Sequence, residues 1–210
     1  MTRKEPTPLN VAFAAATRPH PAEHVNGDAW RVWAPDAGRH TYRVAVVDGL
    51  GHGPLAAAAA AAALASLDAT RAESLSEALL RCHTALRGTR GAAVSLAEID
   101  VTRAELDFVG VGNVEARVWP AGASQRAERP LVYRGVVGAA VPRVRAFTLP
   151  LPTDWRLVIH TDGVSARFNQ ADLPRDDDAQ SLADLILDRW SRPTDDATVV
   201  VCSPLPLGDG

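Results

Sequence analysis

The chain is short of cysteine, of net positive charge and of long apolar runs, and each shortage removes a class of function. Only Cys82 and Cys202 occur among 210 residues. They are too few and too far apart for a disulfide framework, and they fit small core residues in a reducing cytoplasm, the expected location. The net charge of −3 and pI near 6.1 argue against a nucleic-acid partner, which usually demands a basic face, and none is expected. No apolar segment follows the charged start MTRKEPTPLN, so no signal peptide is expected. The longest apolar stretch, the alanine run near residue 60, is too short and too weakly hydrophobic to cross a bilayer, so no membrane partner is expected either. No linker-like change of composition divides the chain. One domain over 1–210 is expected, with loose tails at 1–8 and 204–210. Histidine and cysteine do not cluster, which removes the usual zinc ligand sets.

What is present is a 47% hydrophobic chain whose apolar residues change period along its length. Asn10–Ala16, Ala29–Ala34 and Tyr42–Val47 read as strands, the last of them buried. GPLAAAAAAAALASL follows and reads as a helix, because alanine has the best helix propensity and its small side chain allows close approach to a sheet. Leu75, Leu79, Cys82 and Leu86 fall at helical spacing and predict a second helix. GAAVSLAEID, AELDFVGVG and VEARVWP predict three short strands in an antiparallel meander. RVRAFTLPL, WRLVIHTD and ATVVVC add three more, with a helix carrying Leu182, Leu185, Ile186 and Trp190 before the last. Runs of strands interrupted by helices predict an α+β layered sandwich and not a doubly wound sheet.

Aspartates recur where these strands end. VVDG puts Asp48 just past one strand and HTDG puts Asp162 past another. TDDATVVV puts Asp195 and Asp196 just before a strand, and NGDAW puts Asp28 before one. Any single one reads as a turn residue, since Asp-Gly is a common turn dipeptide. If they converge, their charges repel and raise one another's pKa, a penalty that a divalent cation removes. An oxygen-only ligand set points to Mg²⁺ or Mn²⁺ over Zn²⁺.

The ordered set GD, VVDGLGHG, GAAVSL, GVGN, HTDGV and DDATVVV resembles the metal-dependent PPM (type 2C) serine/threonine protein phosphatases, in particular their SpoIIE-like branch. In size and in GVGNVEARVW it resembles the compact stressosome phosphatases that lack sensor domains. The resemblance runs from about residue 10 to residue 202. It implies a four-layer α-β-β-α sandwich of two antiparallel sheets with two Mn²⁺ or Mg²⁺ ions at one end. It implies that Asp48 bridges the ions, that Gly49 offers its carbonyl to one, and that Asp162 and Asp195 ligate the other. Asp28 matches an acidic position that reaches the cluster, and Asp196 reads as a neighbour capping the strand. The reaction implied is attack on phosphorus by a water that the cations acidify, without a covalent enzyme intermediate. The implied substrate is a phosphorylated STAS-domain protein in a stress-signalling or partner-switching pathway.

The chain departs from many members of the wider family at Leu50, where they carry a histidine proposed as general acid. His52 is a nearby candidate, and His160 reads as a hydrogen-bonded core residue. Arg18 and Arg43 flank early strands and read as solvated surface before they read as phosphate-binding groups. VAVVDGLGHG superficially resembles the aspartate motif of subtilisin-like proteases, but the histidine motif and the serine turn are missing. The alternative within the fold is a pseudo-phosphatase serving as a binding module, which the full set of aspartates argues against.

Overall fold

The structure, a computed structural model, describes residues 11–34, 41–120, 127–140, 144–174 and 178–205. The elements in chain order are β1 (Val11–Arg18), β2 (Asp28–Trp33), β3 (Thr41–Gly49), α1 (Pro54–Ala69), α2 (Leu75–Ala85), β4 (Ala92–Asp100), β5 (Glu105–Val111) and β6 (Glu115–Pro120). β7 (Val132–Tyr133), β8 (Phe147–Pro150), β9 (Trp155–His160), α3 (Ala179–Trp190) and β10 (Ala197–Pro204) follow. No described helix is long and apolar enough to cross a membrane.

The strands form two sheets, ordered β1-β10-β9-β6 and β2-β3-β4-β5-β7, with β8 also on β5. The expected α-β-β-α sandwich is what the side chains build. Along β3, Val44 and Val46 enter the core between the sheets, while Ala45 and Val47 face α1 and α2. β10 does the same, with Val200 and Cys202 inside and Val199 and Val201 under α3. Strands buried on both faces explain why these runs are continuously apolar and not alternating. Both cysteines are free and buried, as expected of core residues.

The alanine run has a packing reason. Ala56, Ala59, Ala60 and Ala63 are buried against the sheet. The helix lies so close that a Cβ on Gly49 would sit 2.1 Å from the Ala56 carbonyl oxygen. α2 is held at its start by a capping box between Ser74 and Glu77.

Three expectations are corrected. The meander stops after two strands: β4 pairs with β5, but β6 pairs with β9 in the other sheet. The switch occurs at Gly112, whose φ of 107° suits glycine and whose missing Cβ would lie 2.3 Å from the Ala93 Cβ. The chain turns there, and Val114 drops into the inter-sheet core. The sheets are also not wholly antiparallel, because the two-residue β7 runs parallel to β5. Finally, residue 204 is not part of a loose tail. Pro204 pairs with Val11, since β1 extends far enough to offer it a partner. The expected tail at 1–8 and the rest of the C-terminal one, 206–210, lie outside the described residues.

Candidate metal centre

Both sheets deliver aspartates to one end of the sandwich. β2 and β3 pair so that Asp28 stands directly opposite Asp48. Asp162 follows β9, and Asp195 and Asp196 precede its neighbour β10, with Thr161 N donating to Thr198 O at 3.1 Å between them. The two groups meet across the sandwich. The Asp48 carboxyl is pushed up to about 9, first by burial and then by the negative charges of Asp28, Asp162, Asp195 and Asp196. Asp28 is raised to about 7, mainly by burial, with Asp196 and Asp195 adding to it and the hydroxyls of Thr161 and Thr198 opposing it. Asp195 is raised as well, by burial and by Asp162.

Local bonds fix the carboxylates. Thr161 Oγ1 donates to Asp28 Oδ2 at 2.7 Å, and Asn113 Nδ2 donates to Asp162 Oδ2 at 2.6 Å. The Asp28 amide donates to Asn26 Oδ1, and Gly49 N donates to Gly27 O, which holds the two strand ends together. The loop leaving Gly49 turns at Gly51 and Gly53, both at positive φ (84° and 76°), before α1 starts.

Asp196 is not a strand cap. It is 3% exposed, and its Oδ1 accepts from His20 N at 2.8 Å. Its Oδ2 and the Oδ1 of Asp28 are buried without any protein partner. Two orphaned carboxyl oxygens, beside a carboxyl held near 9, form a donor set that fits a hard divalent cation. Asp28, Asp48, Asp162 and Asp195, with the Gly49 carbonyl, could hold it. Among the described residues no three such side chains are drawn tightly enough to close on one ion.

The remaining candidates separate. His52 lies on the same loop, with Nδ1 2.7 Å from Glu23 Oε1. Leu50 is exposed at the mouth. His160 is buried, shifted down by desolvation, and bonded through Nδ1 to the Thr161 carbonyl. Arg43 is not solvated surface. It is 4% exposed and bonds Glu98 and the carbonyls of Thr70 and Glu73, away from the aspartates. Arg18 donates to the Arg192 carbonyl. Sequence reasoning missed Asn113, Thr161, His20 and Glu23. Asn113 stood in the GVGN motif, but nothing local showed which carboxylate it would reach.

The model of the family described as "Stage II sporulation protein E (SpoIIE)" matches residues 38–204. The phosphoserine phosphatase RsbX of Bacillus subtilis (strain 168) is 25% identical over 158 residues, which cover 75% of this chain and 78% of that protein. A solved structure of RsbX in complex with magnesium superposes with a TM-score of 0.81 at 21% identity, over 93% of this chain and 96% of that one. A chain from a structure described as "The bacterial stressosome: a modular system that has been adapted to control secondary messenger signaling" reaches 0.84 at 29% identity, over 92% and 99%. The catalytic domain of the serine threonine protein phosphatase PstP in complex with 2 manganese ions reaches 0.64 at 15% identity, over 92% and 97%. The chain belongs to the SpoIIE family of PP2C-type phosphatases.

Proposed function

We propose that the chain is a Mn²⁺- or Mg²⁺-dependent protein serine/threonine phosphatase acting in the cytoplasm on a phosphorylated STAS-domain protein. The observation that carries the metal dependence is the pair of buried, partnerless carboxylate oxygens beside a carboxyl raised to about 9. Asp28, Asp48, Asp162, Asp195 and the Gly49 carbonyl would hold two ions. When bound, the cations supply a water of lowered pKa and offset charge on the phosphoryl oxygens.

The chain's own residues prepare that site. Thr161 and Asn113 orient Asp28 and Asp162 by direct hydrogen bonds. α1 lies against Gly49 so closely that no side chain fits there. No candidate carboxylate is missing, so nothing favours a binding module without activity. Both cysteines are buried and their thiols are held high by desolvation, Cys82 at about 12, so neither supplies a thiolate nucleophile. The STAS substrate rests on the likeness to RsbX and to the stressosome chain.

The test is incubation with a phosphorylated STAS protein from the same cell, beside phosphoserine and phosphotyrosine peptides. Release of phosphate from the STAS protein and the phosphoserine peptide, with phosphotyrosine poor, is expected. A strong preference for phosphotyrosine, or no release from any STAS protein, contradicts the reading.

A further inference from the structure

Hydrolysis of a phosphoserine expels an alkoxide, which is a poor leaving group unless it receives a proton, and Leu50 cannot donate one. We propose that His52, oriented by Glu23 and stacked on His20, donates the proton to the leaving seryl or threonyl oxygen. This rests on the phosphatase reading above.

The geometry is that of an acid held by an orienting carboxylate. His52 lies on the loop between Gly49 and α1, three residues past that glycine. Glu23 Oε1 sits 2.7 Å from its Nδ1, and an ionised carboxylate only accepts, so Nδ1 carries a hydrogen. That leaves Nε2 as the atom that exchanges a proton. The contact is enforced from the loop side, since a Cβ on Gly53 would lie 2.7 Å from the Glu23 carboxylate.

The second face of His52 rests on His20, with ring centroids 4.4 Å apart and planes 13° from parallel. His20 is tied to the aspartates through its amide, which donates to Asp196 Oδ1. Its own Nδ1 accepts from Ala22 N at 3.1 Å, which fixes its tautomer and makes it a prop for the stack. The ionisable groups facing this loop, besides His20, are Glu23, Asp195, Asp196 and the Arg90 guanidinium, whose Nη1 would be 2.8 Å from a Cβ at Gly51. The His52 side chain is half exposed, and His20, on which it stacks, is bonded through its amide to Asp196.

In the step proposed, the water oxygen forms the new bond to phosphorus as the bond from phosphorus to the seryl oxygen breaks. The electron pair of that bond stays on the seryl oxygen, which takes the proton from His52 Nε2 and leaves as the serine hydroxyl. The proton shed by the water passes to solvent, and solvent reprotonates His52. One water is consumed, and no other co-reactant is needed.

The test compares leaving groups. Wild type, His52→Gln and Glu23→Gln are assayed with Mn²⁺ on p-nitrophenyl phosphate, whose phenolate departs without a proton, and on a phosphoserine peptide. Thermal melts with and without Mn²⁺ report folding and metal binding independently of activity. His52→Gln is expected to keep its Mn²⁺ shift and to lose kcat on the peptide by about 100-fold or more, while losing less than about tenfold on p-nitrophenyl phosphate. Glu23→Gln should lose in the same order by smaller factors. Equal losses on both substrates, or no loss on either, overturn the assignment. A wild type that hydrolyses neither substrate with Mn²⁺ refutes the phosphatase reading itself, which separates the two failures.

Discussion

Asp48→Asn should change how the metal-free protein responds to pH, in a direction set by the burial of Asp48 among other carboxylates. In the unfolded chain Asp28 and Asp48 titrate near 3.8, whereas in the fold they titrate at about 7 and about 9. Between these limits the native state holds protons that the unfolded state has lost. Stability is therefore fully present below about pH 4 and falls as pH rises toward the folded values. Each group removes about 1.4 kcal/mol per pH unit, so the two together remove about 5 kcal/mol between pH 5 and pH 7. Asparagine at 48 cannot ionise, and Asp28 is raised chiefly by its own burial. The variant should then lose about half as much over the same range. For a chain of this length the difference of about 3 kcal/mol corresponds to roughly 6–12 °C in Tm. The assay is thermal unfolding of both proteins in chelator, from pH 4 to pH 9. Parallel profiles between pH 5 and pH 7 would show that Asp48 is an ordinary turn aspartate, and the crowded-carboxylate account would fail.

Two further substitutions probe what surrounds the cluster. Gly49→Ala places a Cβ 2.1 Å from the backbone oxygen of Ala56, which cannot yield without moving α1; a loss of several kcal/mol or failure to fold is expected in a denaturant melt, and a change under about 0.5 kcal/mol would contradict the close approach. Asn113→Ala frees the Asp162 carboxylate from its 2.6 Å bond, so calorimetric Mn²⁺ affinity should fall by about 10–100-fold while Tm in chelator barely moves; unchanged affinity would remove Asn113 from the site.

Much of this was legible in the sequence because strands buried on both faces are written as plain apolar runs. The aspartates bounding those runs then had to emerge at strand ends, and Asp48 and Asp162 were readable for that reason. What pairs across the sandwich was not readable. The move of β6 to the second sheet depends on a turn at Gly112 pressed against Ala93, a contact 19 residues distant in sequence. Arg43 looked like a solvated arginine because its partners, Glu98 and the carbonyls of Thr70 and Glu73, come from a neighbouring strand and an interhelical turn. Asp196 looked redundant beside Asp195, yet the fold buries it and leaves one of its oxygens unpartnered. Glu23 and His20 carry no motif, and only the folding of their loop against His52 gives them a role.

The central claim is that this carboxylate cluster works by holding divalent cations. The most direct measurement is phosphate release from a phosphoserine peptide by metal-stripped protein, before and after titration with Mn²⁺. The account predicts no release in chelator, release that grows with Mn²⁺ and saturates, and a Tm that rises over the same range of Mn²⁺, by about 2.7 kcal/mol of stability at a hundredfold excess over Kd. Full turnover in excess chelator, with no Tm response to Mn²⁺, would contradict it.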